Sequence, residues 1–125
     1  MVDRESVGLL GIDHVQVAIP RGGEDAARLF YAGLLGLEEI PKPEPIRARG
    51  GVWFRVGAQE LHLGVEEPFA PARKAHPGFV ASDLDKLRLR LSGAGLEFED
   101  DDKIAGVDRL FVADPFGNRL ELRGA

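Results

Sequence analysis

The chain has 125 residues, a net charge of −5 and no cysteine. Its length indicates one domain, or two small halves around a shared core, and its 44% hydrophobic residues are enough to form that core. The missing cysteines exclude disulfides and thiolate chemistry, while the acidic charge argues against a nucleic-acid partner. Because no apolar run reaches transmembrane length and no signal-peptide pattern opens the chain, we expect a cytoplasmic protein without membrane contact.

The first half of the sequence predicts a strand, a helix and then three further strands. The opening strand covers about 11–19, and a helix over about 24–35 ends at Gly36. The remaining strands are predicted at 37–40, 51–56 and 60–65, with a proline-rich loop at 41–45. The apolar side chains of the helix recur at helical spacing on one face, namely Ala27, Phe30, Tyr31 and Leu34.

The second half repeats this order. A predicted strand at 76–81 leads to Ser82, which we expect to cap a helix that ends at Gly95. A short strand at 96–98 follows, and the acidic run at 99–102 is predicted to be a solvated loop. A closing hairpin is predicted at 109–113 and 118–123 around the turn Asp114-Pro115-Phe116-Gly117. The expected apolar face of the second helix contains Leu84, Leu87, Leu91 and Ala94.

Four residues of metal-ligand type fall in predicted strands. His14, His62 and His76 are all the histidines of the chain, and Glu121 lies between two leucines. Because side chains alternate between the two faces of a strand, these four point away from their apolar neighbours. Overlaying the halves matches His14 with His76 and His62 with Glu121. Imidazole and carboxylate groups in such positions predict a divalent-metal site.

Two of these assignments have alternatives. Glu60 shares the face of His62, so the choice between them as a ligand stays open. His76 could instead orient the start of its strand, because Pro77 follows it.

Candidate substrate contacts surround the four predicted ligands. Strand alternation puts Gln16 on the face of His14 and Arg119 on the face of Glu121. Trp53 and Phe54 alternate, so one of them should line the cavity. Two further cations, Arg47 and Arg49, lie in a loop within reach of its mouth.

Several motifs occur in the order typical of one protein family. They are Asp13-His14-Val15-Gln16-Val17-Ala18-Ile19-Pro20, Phe30-Tyr31 with Leu35-Gly36-Leu37, His76 leading into Ser82-Asp83-Leu84-Asp85, and Ala113-Asp114-Pro115-Phe116-Gly117-Asn118-Arg119-Leu120-Glu121-Leu122. With these motifs the chain resembles the vicinal oxygen chelate superfamily, which includes glyoxalase I, methylmalonyl-CoA epimerase, extradiol dioxygenases and the fosfomycin- and bleomycin-resistance proteins. The resemblance extends over about 9–123.

The resemblance implies an α+β fold in a single glyoxalase-like domain over 1–125. Two βαββ modules, at about 9–66 and 76–124, would form a curved eight-stranded half-open barrel around a metal. The family binds its metal through the first and last strands of each module, which here are the strands of His14, His62, His76 and Glu121. Members of this length usually pair as homodimers, sometimes with ligands from both chains.

The implied function is a metal-dependent lyase or isomerase of the glyoxalase or epimerase type, acting on a small molecule. A divalent ion (Zn, Ni, Co, Mn or Fe) would stabilise an enolate-like intermediate as a Lewis acid, with Glu121 as the catalytic base. One alternative is an Fe(II) extradiol dioxygenase that uses His14, His76 and Glu121. Another is a metal-free binding protein of the bleomycin-resistance kind. Fosfomycin thiol transfer is disfavoured, because those enzymes place a threonine near the metal and this chain has none.

Overall fold

A computed structural model describes residues 7–125 of the chain. Its strands form two four-stranded mixed sheets with the same order, first-last-third-second within each module. In each sheet the first and last strands are parallel and the other pairs are antiparallel. This arrangement confirms the predicted pair of βαββ modules. The strands are β1 (His14–Ile19), β2 (Glu38–Ile40), β3 (Val52–Val56), β4 (Gln59–Val65), β5 (Gly78–Ala81), β6 (Phe98–Asp101), β7 (Arg109–Ala113) and β8 (Arg119–Gly124).

The first helix is wider than its sequence pattern predicts. Helix α1 (Glu24–Ala27) continues as a π-helix, Arg28–Leu34, in which the N–H of Leu35 donates to the carbonyl of Phe30. Phe30 and Tyr31 are both buried although they are adjacent in sequence, with 5% and 0% of their surface exposed. The wider turn therefore coincides with two neighbouring aromatic rings in the core.

Other boundaries also differ from the sequence prediction. Residues 44–49, expected partly as loop, form a 3-10 helix, Glu44–Arg49. Helix α2 (Leu84–Gly93) is capped by Asp83, whose carboxylate accepts from the N–H of Lys86, and not by Ser82. Strand β5 begins at Gly78, so His76 lies in the segment before it. Part of the acidic run belongs to β6, where Asp100 and Asp101 bind arginine side chains.

One hydrophobic core joins both modules. Alternate leucines of the two last strands, Leu61 and Leu63 of β4 and Leu120 and Leu122 of β8, are at most 2% exposed and face this core. Phe30, Tyr31, Leu84 and Leu91 of the two helices belong to the same cluster. The opposite face of each sheet is left for polar residues. Within residues 7–125 no helix combines the length and apolar character needed to cross a membrane.

A buried polar network explains the Asp114-Pro115-Phe116-Gly117-Asn118 motif. One carboxylate oxygen of Asp114 accepts from the backbone N–H groups of Phe116 and Asn118, which closes the β7–β8 turn. The other accepts from the Tyr31 hydroxyl at 2.7 Å and from the Asn118 amide, which also donates to the carbonyl of Ala18. Burial, and then the Asp114 carboxylate, raise the pKa of Tyr31 far above its usual range. The network ties the first module to the strand that carries Glu121.

Candidate metal centre

The strand register makes the two predicted ligand pairs structurally equivalent. Strand β1 pairs with β4 in parallel, with His14 opposite Glu60 and Gln16 opposite His62. Strand β5 pairs with β8 in parallel, with Gly78 opposite Glu121. In both modules the last-strand candidate is therefore paired with the residue two positions after the first-strand candidate: His62 with Gln16, and Glu121 with Gly78. The internal repeat read from the sequence is thus reproduced by backbone pairing.

The pair in the first module is part of a stack of three rings. The rings of His14 and His62 are 4.1 Å apart at an angle of 16°, and Trp53 stacks on the other face of His62 at 3.6 Å. Each imidazole also contacts a carboxylate. His14 Nδ1 lies 2.9 Å from Asp13 Oδ2, and His62 Nε2 lies 2.8 Å from Glu60 Oε1. The His62 ring is 4% exposed and is held on three sides.

The pair in the second module is a direct histidine–glutamate contact. His76 Nε2 lies 3.1 Å from Glu121 Oε1, and His76 Nδ1 lies 2.8 Å from the backbone carbonyl oxygen of Lys74. The edge of the His76 ring also meets the face of Phe111 at 5.4 Å. Glu121 is 9% exposed although it lies on the polar face of β8. The neighbours of its carboxylate account for this burial.

Two arginines flank the Glu121 carboxylate. Arg109 places Nη1 3.4 Å from Glu121 Oε1 and is itself held by Asp101, with Nη2 at 2.9 Å and Nε at 3.1 Å from Oδ1. Hydrogen bonding to Asp101 raises the pKa of Arg109. The pKa of Asp101 is lowered, first by the Lys103 N–H and then by Arg109. Arg123 Nε lies 3.3 Å from Glu121 Oε2, is buried, and makes no hydrogen bond to any described residue.

The four predicted ligands assemble as two pairs and not as one cluster. His14 and His62 belong to the sheet of the first module, while His76 and Glu121 belong to the second. Within residues 7–125, no group of three or more histidine, aspartate or glutamate side chains lies close enough to hold a metal ion. A single chain therefore presents two separate pairs of candidate ligands, each of which is called a half-site below.

The chemistry of each half-site fits a divalent ion. Histidines that bind metals commonly use one ring nitrogen for the metal and the other for a carbonyl or carboxylate. All three histidines have one nitrogen in such a contact: His14 with Asp13, His62 with Glu60 and His76 with a backbone carbonyl. The carbonyl can only accept a hydrogen bond, so Nδ1 of His76 carries the hydrogen. His76 Nε2 then faces Glu121 Oε1 at 3.1 Å, and a divalent ion could be held between these two atoms in place of a proton.

The predicted substrate residues are placed unequally around the half-sites. The side chain of Gln16 lies over Gly64 of β4. A Cβ atom at Gly64 would come within 3.0 Å of the Gln16 amide, so glycine leaves room for it. Trp53, and not Phe54, shares the face of His62. Arg47 lines a cavity of about 520 Å³ together with Trp53 and binds Glu44 at 2.8 Å. Arg49 is exposed and does not line that cavity.

Arg119 stacks on Phe111, with its guanidinium carbon 4.1 Å from the ring centroid. It also lines a cavity of about 480 Å³ beside His76 and Gln16. Sequence reasoning missed the roles of Asp13, Asp101 and Arg109. Alternation along β7 predicts that Arg109 and Phe111 share a face. The contact of Arg109 with Asp101, and through Arg109 with Glu121, depends on the pairing of β6 with β7, which the sequence does not show.

Comparisons with known proteins agree with the fold and the motifs. Residues 11–122 match the model of the Glyoxalase/Bleomycin resistance protein/Dioxygenase superfamily. The structure resembles that of a glyoxalase family protein from Bacillus anthracis, with 48% identity, a TM-score of 0.93, and 96% of this chain and 98% of that chain covered. No curated protein matches the sequence.

Two more distant structures share the fold alone. A lactoylglutathione lyase from Agrobacterium tumefaciens is 24% identical, with a TM-score of 0.71, and 92% of this chain and 93% of that chain are covered. A genomically encoded fosfomycin resistance protein from Listeria monocytogenes is 14% identical, with a TM-score of 0.75, and 94% and 95% of the two chains are covered. The two equivalent modules, the paired ligand positions and the family match lead to one conclusion: this chain belongs to the glyoxalase/bleomycin resistance/dioxygenase superfamily.

Proposed function

We propose that the protein is a metal-dependent lyase or isomerase acting on a small substrate that has two neighbouring oxygen atoms. The observation that carries the proposal is the state of the three histidines. Each has one ring nitrogen held by a carboxylate or carbonyl. The other nitrogen has no partner among the described residues in His14 and His62, and in His76 it faces Glu121, the proposed co-ligand. With Glu121 they form a donor set suited to zinc, nickel, cobalt, manganese or iron(II).

We further propose that a second copy of the chain completes the site. Because each chain presents two half-sites, a symmetric homodimer can place His14 and His62 of one protomer beside His76 and Glu121 of the other. Exposed apolar side chains support such a contact. Val15 of β1 and Val80 of β5 are 41% and 71% exposed, and Leu9, Leu10 and Ile12 before β1 are 66–99% exposed. Strands β1 and β5 are the outer strands of their sheets, so these residues lie where another sheet could join.

The residues around Glu121 fix the orientation of the carboxylate that we propose as the base. A divalent ion bound here would stabilise negative charge on the substrate oxygens as a Lewis acid. Arg109 and Arg123 each face one oxygen of the Glu121 carboxylate, which fixes its plane. A carboxylate fixed in this way can take a proton from a substrate carbon next to a carbonyl and return it to the neighbouring atom.

Metal content is the test of this proposal. Protein purified without a histidine tag and loaded with one divalent metal at a time should retain an ion after gel filtration. His76→Ala and Glu121→Ala should lose that ion, whereas Glu44→Ala, which removes an exposed carboxylate that lies on no strand and belongs to neither half-site, should keep it. Wild-type protein that retains no metal while correctly folded would contradict the proposal. Retention of iron with oxygen uptake on catechols would instead favour a dioxygenase.

A further inference from the structure

Arg119 differs from the other arginines that lie on strands. Arg55 binds Glu38 at 3.5 Å, Arg109 binds Asp101 at 2.9 Å, and Arg123 faces Glu121 at 3.3 Å. Among residues 7–125, Arg119 has neither a salt bridge nor a hydrogen-bond partner for its guanidinium, and its contact is the face of Phe111. It lies on the same face as Glu121, two residues before it on β8. One unpaired cation therefore borders the second half-site.

The stack on Phe111 prepares this guanidinium to bind an anion. A guanidinium whose carbon lies over the face of an aromatic ring can still offer its N–H donors to an anion, and those of Arg119 have no other partner among the described residues. Those donors match the two oxygens of a carboxylate or phosphate group in a bidentate contact. Because the stack already restricts the side chain, less conformational entropy is lost when the anion binds.

The cavity next to Arg119 has a suitable size and lining for a small acid. It has a volume of about 480 Å³, and its walls are mostly small apolar side chains from β1 and from Ala70, Ala72, Ala75 and Pro77. Its polar lining residues are Gln16, Glu66, His76, Asn118 and Arg119. The amide of Asn118 is already bound to Ala18 and Asp114, and Glu66 is exposed. Gln16 and Arg119 are thus the lining residues whose side-chain N–H donors remain available to an anionic ligand, because both ring nitrogens of His76 already have partners.

Charge also favours an anionic ligand. Four side chains around Glu121 are linked by ion pairs and have no net charge together: the carboxylates of Asp101 and Glu121 and the guanidinium groups of Arg109 and Arg123. Arg119 adds one positive charge that nothing on its strand offsets. The one carboxylate that lines the cavity, Glu66, is exposed, and a divalent ion at His76 and Glu121 would add more positive charge than it offsets, so an anion would be attracted to the cavity.

We propose that the substrate is a small oxyacid, whose carboxylate or phosphate group binds Arg119 while its neighbouring oxygens lie toward His76 and Glu121. This inference rests on the proposed function for the role of the metal. The proposed anion contact depends on Arg119 and does not require the metal. The two ideas can therefore be tested separately.

Three small probes with the same skeleton test the inference. Glycerate carries a carboxylate, glycerol 3-phosphate carries a phosphate, and glycerol carries neither, while all three have oxygen donors on adjacent carbons. Their dissociation constants would be measured by calorimetry and ligand-observed NMR on metal-free and zinc-loaded wild type, Arg119→Gln, Arg119→Lys and Arg73→Gln. The last variant is the matched control, because it removes an exposed arginine that does not line the cavity.

We expect at least one anionic probe to bind metal-free wild type, and glycerol not to bind. Arg119→Gln should weaken that binding by about tenfold or more, Arg119→Lys by less, and Arg73→Gln not at all. The better of the two anions identifies the class of acid. The inference is wrong if neither anion binds, or if Arg119→Gln and Arg73→Gln behave alike. Anion binding that depends on Arg119 in a protein that retains no metal would support the inference while refuting the metal-dependent function.

Discussion

Removing the Tyr31 hydroxyl should measure how strongly the two modules are coupled. Tyr31→Phe keeps the ring, which is fully buried and lies edge-on to Phe30 at 4.9 Å. It removes one donor, at 2.7 Å, from the Asp114 carboxylate, which is 5% exposed. A hydrogen bond to a charged group contributes about 1.5–3 kcal/mol, so we expect the free energy of unfolding to fall by about that amount.

A double-mutant cycle gives the control for this prediction. Asp114→Ala removes the acceptor for the Tyr31 hydroxyl and for three donors in the β7–β8 turn, so it should cost about 4 kcal/mol or more. In that background, Tyr31→Phe should cost much less than in wild type, because the hydroxyl has already lost its partner. Urea unfolding at one fixed protein concentration measures all four forms. A Tyr31→Phe variant as stable as wild type would refute the claim that this bond couples the modules.

Three further predictions follow from single contacts. Hydrogen bonding to Arg88 lowers the pKa of Asp108 in the folded state. This contact therefore stabilises the folded state at pH values above the unfolded pKa of about 4. The stabilisation is lost as the pH falls through the lower folded pKa. Arg88→Gln should therefore lower stability at pH 7 and flatten its decline between about pH 5 and pH 2 in urea titrations. Gly51→Ala should cost about 3 kcal/mol or more, since φ is +92° and the new Cβ would lie 2.1 Å from the carbonyl oxygen of Leu63. Glu60→Gln should weaken metal binding by about ten- to hundredfold in chelator competition, because Glu60 holds His62.

Matched variants separate these effects from nonspecific damage. Arg73→Gln removes an exposed arginine without a carboxylate partner among the described residues and should leave the acid profile unchanged. Gly57→Ala has φ of +58° but open space around its Cβ, so it should cost only about 1 kcal/mol. Glu38→Gln removes an exposed carboxylate on β2 and should leave metal affinity unchanged. Equal losses in a variant and its control would contradict the corresponding explanation.

Much of the fold follows from local signals in the sequence. Alternation of leucines around His62 and Glu121 correctly predicted the last strand of each module. Gly36 and Gly95 correctly marked the ends of the two helices, and both glycines have φ of +76°. The repeat also predicted which residues occupy equivalent positions, because each module must bury the same face against its own helix. These features depend on residues close together in the chain.

The differences arise where distant residues decide the structure. The π-helix after Ala27 places both Phe30 and Tyr31 in a core to which the second module also contributes. Helical spacing in the sequence does not predict this change from α-helix to π-helix. Asp100 and Asp101 extend a strand instead of a loop because Arg88 and Arg109 neutralise them from other elements. Similarly, the four candidate ligands share a pattern in sequence, but the separation of the two sheets leaves them as two pairs.

The shared site is the central claim, and subunit complementation tests it most directly. His14→Ala and Glu121→Ala chains with different tags would be co-expressed, and the mixed dimer isolated for metal analysis. In a site formed by two chains, the mixed dimer has one site that lacks both ligands and one that keeps all four. We therefore predict one tightly bound ion per mixed dimer and none in either parent homodimer. A mixed dimer without metal, beside a wild-type dimer that binds it, would contradict a site built from both chains.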